Sequence, residues 1–158
     1  GSPKRYSHSR IGFNSRLDTI QAAILIEKHK IFEDEINMRN CVANSYEDNL
    51  KEIDEIETPI IPNQSNRSVW AQYTVLLNNS ISRHRDIIMK DLKEQGIPTA
   101  LYYPVLLHKT KTYEDSVHLP VSEGICDRVL SLPMHPYLEE DEIRSITSAI
   151  KETVKKYR

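Results

Sequence analysis

The sequence predicts an α+β fold: a long N-terminal helix, then a small, mainly antiparallel sheet with helices packed on one face. Two observations favour this fold class. Apolar residues recur at helical spacing between residues 15 and 50. In the remainder, short stretches rich in β-branched and aromatic residues alternate with helical stretches. Short strands that share one buried face with such helices are typical of a layered α+β domain.

The first predicted helix extends from Ser15 to about residue 50 and could break near residue 37. Asp18 in its first turn suits the positive end of the helix dipole. At 1.5 Å per residue, a helix of ~35 residues is about 50 Å long, which exceeds the diameter of a compact domain of this size. Such a helix projects from its domain or connects the parts of a larger protein. Its apolar face recurs at spacings of three, four and seven: Leu17, Ile20, Ile24 and Ile31.

The next predicted elements are a strand, a helix and a second strand. Residues 69–77 (VWAQYTVLL) are rich in strand-forming types. Residues 82–95 predict a helix with Ser82 as its cap, and Gly96 ends it. Residues 99–103 (TALYY) predict another strand.

The last third of the chain predicts a loop, a short helix, a buried strand and a final helix. The loop covers residues 104–118, the short helix begins at Pro120, and the strand covers residues 129–133. The final helix begins near Glu139, with acidic residues at its start and basic residues at its end, as the helix dipole prefers. Its apolar face consists of Ile143, Ile146, Ile150, Val154 and Tyr157.

The composition indicates one globular domain: 158 residues, 39% hydrophobic and 28% charged. A net charge of −2 without a basic stripe argues against a nucleic-acid-binding protein. No apolar run approaches the ~20 residues of a membrane span, and the polar start (Gly1-Ser2 reads as a cloning remnant) has no signal-peptide pattern. Cys41 and Cys126 lie far apart, outside any C-x-x-C pair, which favours reduced thiols in a cytoplasmic protein.

Sequence motifs of several common chemistries are missing. The four glycines form no phosphate-binding loop, the six histidines lack metal-ligand spacing, and no G-x-S-x-G stretch occurs. We therefore expect no metal site.

Two segments allow either a structural or a ligand-binding interpretation. Asn14 and Arg16 stand at the start of the first helix, where an amide and a guanidinium can bind a phosphate or carboxylate. Alternatively, Asn14 or Ser15 caps the helix and Arg16 is solvated. In LYYPVLLH, Tyr102, Tyr103 and His108 leave a strand together. They are either ligand-binding groups, or core or edge tyrosines beside a surface histidine.

A third segment, RVLSLPMHPYL at residues 128–138, indicates a strand stopped by prolines, and we interpret it as structural. Together, the three segments resemble one family. The stretches GFNSRLDTIQAAIL, GIPTALYYPVLLH and LPVSEGICDRVLSLPMHPYL are similar to the C-terminal part of the DegT/StrS-type sugar aminotransferases, in the family's order. The resemblance covers about residues 6–155.

The resemblance implies a pyridoxal-phosphate enzyme of aminotransferase fold type I, which moves an amino group from glutamate onto a nucleotide-linked keto-sugar. Members of this family have a large domain that holds the cofactor through a lysine, a smaller C-terminal domain, and an active site at a homodimer interface. This chain would then comprise an irregular lead-in at residues 1–13, a linker helix region at residues 14–50, and the small domain at residues 51–158.

The resemblance also implies roles for individual residues. Asn14 matches an asparagine that reaches across the dimer to the cofactor phosphate, and Arg16 matches an arginine that contacts the nucleotide-sugar of the partner subunit's site. Tyr102 and Tyr103 match an aromatic or histidine pair near the substrate, and His108 matches the histidine that closes that motif.

No lysine of this chain stands in the family's cofactor-lysine context. We therefore expect no catalytic residue here, no pyridoxal phosphate bound by the chain alone, and no activity of the chain alone. An alternative function is that of a non-catalytic interaction or dimerisation module, which the projecting first helix favours.

Overall fold

A computed structural model describes residue 13 and residues 17–62, 67–113 and 117–158. This part of the chain contains five α-helices and a three-stranded antiparallel sheet, which confirms the predicted α+β class. One 3-10 turn precedes the third helix, and another lies in the loop before the fourth. The elements in order are α1 (Thr19–Lys30), α2 (Phe32–Leu50), β1 (Ile56–Glu57), β2 (Tyr73–Leu77), α3 (Arg85–Glu94), α4 (Pro120–Cys126), β3 (Val129–Leu132) and α5 (Glu140–Lys155).

The long predicted helix is two consecutive helices. The first begins at Thr19 because Asp18 is its cap, accepting a hydrogen bond from the Gln21 backbone N–H at 2.8 Å. The break lies at Ile31, whose φ of −108° and ψ of 6° leave the helical region, so the break predicted near residue 37 is wrong. Basic residues end α1 and acidic residues begin α2, as expected where one dipole ends and another starts: Lys28, His29 and Lys30, then Glu33, Asp34 and Glu35.

The two helices differ in burial. None of the twelve residues of α1, all of which the structure describes, is buried, and apolar side chains such as Ile20, Ile24 and Ile26 are more than half exposed. In contrast, α2 joins the core through five residues: Ile36, Val42, Ala43, Tyr46 and Leu50.

The sheet has the order β1-β2-β3, with both pairs antiparallel. Tyr73, Val75 and Leu77 alternate along β2 and point into the core, where the Tyr73 ring stacks on Tyr46 of α2. Thr74 points to the opposite face and hydrogen-bonds across the ladder to Ser131 at 2.8 Å. Helices α2, α3 and α5 supply the buried residues that pack against this face of the sheet.

Two predicted strands differ from the structure. The first begins at Tyr73 rather than at residue 69, since Trp70 has a positive φ of 45° that interrupts an extended chain. Residues 99–103 form no strand: only Ala100 pairs with Ser131, by two hydrogen bonds of 3.0 and 2.9 Å. Prolines on both sides, Pro98 and Pro104, lack the N–H that a longer ladder needs.

The later helices and the last strand follow the sequence more closely. Helix α3 begins at Arg85 after a 3-10 turn at Ser82–His84, so Ser82 is not its cap; the Ser82 hydroxyl instead lies 3.4 Å from the Asn79 carbonyl oxygen. Gly96 ends the helix with φ 81°, as predicted. Strand β3 is buried throughout and α5 presents its predicted apolar face to α2 and α3. In the described part of the chain, no helix is long and apolar enough to cross a membrane.

Candidate functional site

The predicted site residues fall into two groups. Asn14 and Arg16 lie outside the described residues. Tyr102, Tyr103 and His108 lie in the loop between α3 and α4, which leaves the sheet after the Ala100 bridge.

The two tyrosines stand next to each other at the surface. Their ring centroids are 5.7 Å apart at an interplanar angle of 70°, an edge-to-face arrangement. Tyr102 is half-buried, whereas Tyr103 is 61% exposed. Neither belongs to the hydrophobic core.

Both tyrosines line a cavity of about 520 Å³. One wall is the loop itself and the other is α4 with the start of β3. The Cys126 thiol donates to the Tyr103 carbonyl oxygen at 3.6 Å and links the two walls. The remaining lining residues are mostly apolar: Val105, Leu106, Leu107, Thr110, Ser122, Ile125 and Val129.

His108 lies beside this cavity but does not line it. Its side chain is 12% exposed, and its Nε2 lies 2.9 Å from the Glu123 Oε1 of α4. Because an ionised carboxylate only accepts, the imidazole donates here. The histidine therefore joins the loop to α4.

Glu123 is the residue of this region that our sequence analysis missed. Its carboxylate also lies near Lys109 and His118 and accepts from the Leu119 backbone N–H. The hydrogen bond from His108, followed by that from the Leu119 backbone, lowers its pKa to about 2. A glutamate in the first turn of a helix that begins with proline was the signal available in the sequence.

The segment at residues 128–138 makes structural contacts, in line with its interpretation. The Pro133 carbonyl oxygen accepts from the buried Tyr46 hydroxyl at 2.8 Å. Tyr137 donates to the Glu35 carboxylate at 2.6 Å, and Lys28 of α1 forms an ion pair with the same carboxylate. The segment also contributes Val129 to the lining of the cavity.

The described residues form neither a metal site nor a complete cofactor site. They contain no group of three histidine, cysteine or acidic side chains that could hold a metal ion. Both cysteines are free thiols.

Pyridoxal phosphate needs an amine for its aldehyde and cations or N–H groups for its phosphate. The described lining of the cavity includes neither lysine nor arginine, so these residues do not fit that cofactor by themselves.

Comparison with known proteins identifies one family to which the chain is similar over nearly its whole length. The sequence profile of the DegT/DnrJ/EryC1/StrS aminotransferase family matches residues 1–151. The chain is similar to the UDP-2-acetamido-2-deoxy-3-oxo-D-glucuronate aminotransferase of Pseudomonas aeruginosa, with 46% identity over 95% of this chain and 40% of that protein. It thus spans about two fifths of the length of the curated relatives it matches.

Solved structures give the same result. A DegT DnrJ EryC1 StrS aminotransferase from Brucella abortus matches with a TM-score of 0.75 and 42% identity, over 96% of this chain and 39% of that one. A structure of NtdA from Bacillus subtilis, with the bound cofactor PMP, matches with a TM-score of 0.69 and 30% identity, over 89% of this chain and 34% of that one.

Proposed function

This chain belongs to the DegT/DnrJ/EryC1/StrS aminotransferase family, and we propose that it is the C-terminal small domain of a nucleotide-sugar aminotransferase. The parent enzyme moves an amino group from glutamate onto a nucleotide-linked keto-sugar. The observation that carries this proposal is the 46% identity, over nearly the whole chain, to an aminotransferase named for a UDP-linked oxo-sugar.

The cavity supports a role in substrate binding. Tyr102 and Tyr103 offer aromatic faces and hydroxyl groups, which suit sugar and nucleoside rings. We propose that these tyrosines contact the substrate, while His108 holds their loop against α4 through Glu123. Asn14 and Arg16 are proposed to reach the cofactor phosphate and the nucleotide-sugar in the partner subunit's site.

Pyridoxal phosphate would be held outside the cavity described here. This cofactor supplies an electron sink for the transfer of the amino group. The lysine that binds it belongs to the large domain of the parent, so this chain positions substrate and excludes water but performs no covalent step. The homodimer and a cytoplasmic location are part of the proposal and rest on the sequence.

The full-length parent provides the test. We expect the purified protein to bind pyridoxal phosphate with its characteristic absorbance, and to convert a UDP-linked keto-sugar to the amino sugar with glutamate as donor. A parent that stays colourless after reconstitution with the cofactor would refute the proposal. The 158-residue chain serves as the control, in which we expect neither absorbance nor activity.

A second candidate function is that of an interaction module, and α1 is the observation that favours it. A helix with apolar side chains on all sides is normally enclosed by other protein. None of the residues of α1, which the structure describes in full, is buried. Sedimentation of the chain alone tests this candidate. A monomer at all concentrations that also fails to bind an added large domain would exclude it.

A further inference from the structure

We propose that Glu123 is a positioning residue, which holds the tyrosine loop (residues 102–110) against α4 and so fixes the shape of the cavity. The link between this cavity and the substrate rests on the function proposed above. The contacts that hold the loop do not depend on that function.

Several nitrogen donors converge on the Glu123 carboxylate. Among the described residues, four nitrogen atoms lie close to Glu123: His108 Nε2 at 2.9 Å, His118 Nδ1 at 3.1 Å, the Leu119 backbone N at 3.2 Å and Lys109 Nζ at 3.4 Å. Both carboxylate oxygens are used, and charge-assisted hydrogen bonds of this kind are about twice as strong as neutral ones.

These donors and Glu123 are adjacent in sequence to residues that line the cavity. His108 and Lys109 stand between two lining residues, Leu107 and Thr110. Glu123 stands between the lining residues Ser122 and Ile125 on the opposite wall. The Glu123 side chain therefore connects the two walls of the cavity.

Internal hydrogen bonds close the tyrosine loop at the point where Glu123 contacts it. The Lys109 N–H donates to the Leu106 carbonyl oxygen at 3.0 Å, and the Thr110 hydroxyl donates to the Leu107 carbonyl oxygen at 2.8 Å. A 3-10 turn covers Leu107–Lys109. Because this turn is closed internally, fixing His108 also fixes the backbone that follows the two tyrosines.

Ordinary surface ion pairs differ from this arrangement. Glu94 pairs only loosely with Lys90 at 3.8 Å, and its side chain is 66% exposed. Such pairs contribute little because water screens them and long side chains lose entropy. Glu123 is 20% exposed and His108 is 12% exposed, so their hydrogen bond is largely shielded from water.

The substitution Glu123→Gln isolates this role. It keeps the side-chain volume but removes the charge, and its amide nitrogen must face donors that need an acceptor. Glu94→Gln is the matched control, because it makes the same chemical change at a carboxylate that holds nothing in place.

The first experiment measures amide hydrogen exchange by NMR in the 158-residue chain. We expect Glu123→Gln to speed exchange at Lys109, Thr110 and Leu119 by about tenfold or more, as the loop opens locally. Exchange at core strand residues such as Val75 should stay unchanged. The control Glu94→Gln should change exchange neither in the loop nor in the core. Unchanged exchange at Lys109 and Thr110 would overturn the proposal, as would equal acceleration throughout the core.

The second experiment uses the full-length parent. If the loop is held for substrate, Glu123→Gln should raise KM for the nucleotide-sugar about tenfold while kcat stays within about twofold, as loss of substrate positioning predicts. Glu123→Asp should recover part of that loss, and the absorbance of bound cofactor should not change. An active parent with unchanged KM overturns the positioning role. A wild-type parent without aminotransferase activity refutes the proposed function instead, and the exchange measurement then decides the role of Glu123.

Discussion

Tyr46 and Tyr73 stack in the core with ring centroids 4.9 Å apart, but their hydroxyl groups differ. The Tyr46 hydroxyl donates to the Pro133 carbonyl oxygen at 2.8 Å. The Tyr73 hydroxyl is buried and has no hydrogen-bond partner in the described part of the chain. Burial raises the pKa of both phenols, so both stay neutral. The pair thus offers the same chemical group in a satisfied and an unsatisfied state.

We predict opposite effects of removing these hydroxyls. Tyr46→Phe leaves the Pro133 carbonyl unpaired and should lower the free energy of unfolding by about 1–2 kcal/mol. Tyr73→Phe removes an unpaired buried polar group and should be neutral or raise the free energy of unfolding by up to about 1 kcal/mol. Urea denaturation of both variants checks this. Equal destabilisation would mean that an ordered water satisfies Tyr73.

Glu123 also makes a pH-dependent contribution to stability. Its pKa is lowered from 4.5 to about 2 in the folded chain, so folding favours the ionised form. The stabilisation is therefore complete above about pH 4.5 and disappears as the pH falls through about 2.

We expect wild type and Glu123→Gln to differ in the free energy of unfolding at about pH 6, and to converge as the pH falls toward about 2. Chemical denaturation at several pH values measures this difference. A difference that is independent of pH would show that the charge of Glu123 is not what stabilises the fold. Glu94→Gln provides the baseline, because its carboxylate lacks comparable partners.

At the scale of elements, two glycines play different roles in two helices. Gly96 follows α3 with φ 81°, a conformation that costs residues with a Cβ about 1–2 kcal/mol. Gly124 lies inside α4 at an ordinary helical conformation. A Cβ added at either glycine would have no heavy atom within 4 Å beyond its own local backbone, so crowding does not distinguish the two positions.

We predict that Gly96→Ala lowers the free energy of unfolding by about 1 kcal/mol because of backbone strain. Gly124→Ala should raise it by about 0.5–1 kcal/mol, since alanine favours the helix and restricts the unfolded chain. Thermal unfolding monitored by circular dichroism checks both. A stabilising Gly96→Ala would show that the helix end is not held in the left-handed conformation.

The junction of α1 and α2 is held by side chains rather than by a core. Glu35, near the start of α2, binds Lys28 of α1 and the hydroxyl of Tyr137. The hydrogen bond to Glu35 raises the pKa of Lys28. The hydrogen bonds from Lys28 and from the Tyr137 hydroxyl lower the pKa of Glu35. The direction of α1 therefore depends on a partly exposed polar cluster, which adapts more readily than a packed interface.

For the molecule as a whole, this arrangement means that the stable unit begins at α2. The core joins α2, the sheet, α3 and α5, whereas α1 adds no buried residue. We predict that a shortened chain beginning at Ile31 unfolds cooperatively, with a melting temperature within about 3 °C of the full chain.

Differential scanning calorimetry measures both chains. As a control, a chain that ends at Leu138 and lacks α5 should lose cooperative unfolding, because four buried hydrophobic residues disappear: Ile143, Ile146, Ile150 and Val154. A large fall in melting temperature on removal of α1 would show that it belongs to the cooperative unit.

Elements with strong local signals were predictable from the sequence, but their boundaries were less so. The final helix and the buried strand at residues 129–132 follow from periodicity and composition. The prediction of a strand at residues 99–103 was wrong because strand propensity takes no account of flanking prolines or of a free sheet edge. The break at Ile31 was visible only in the switch from basic to acidic residues, a signal weaker than apolar spacing.

The sequence alone determined the α+β class and the family, because these depend on local patterns and on the order of motifs. Only the tertiary structure decided that Tyr102 and Tyr103 share one cavity with α4, and that His108 beside it binds Glu123. His108 and Glu123 are fifteen residues apart, and no helical or strand period connects that spacing. Such a contact exists only once the loop and α4 pack together.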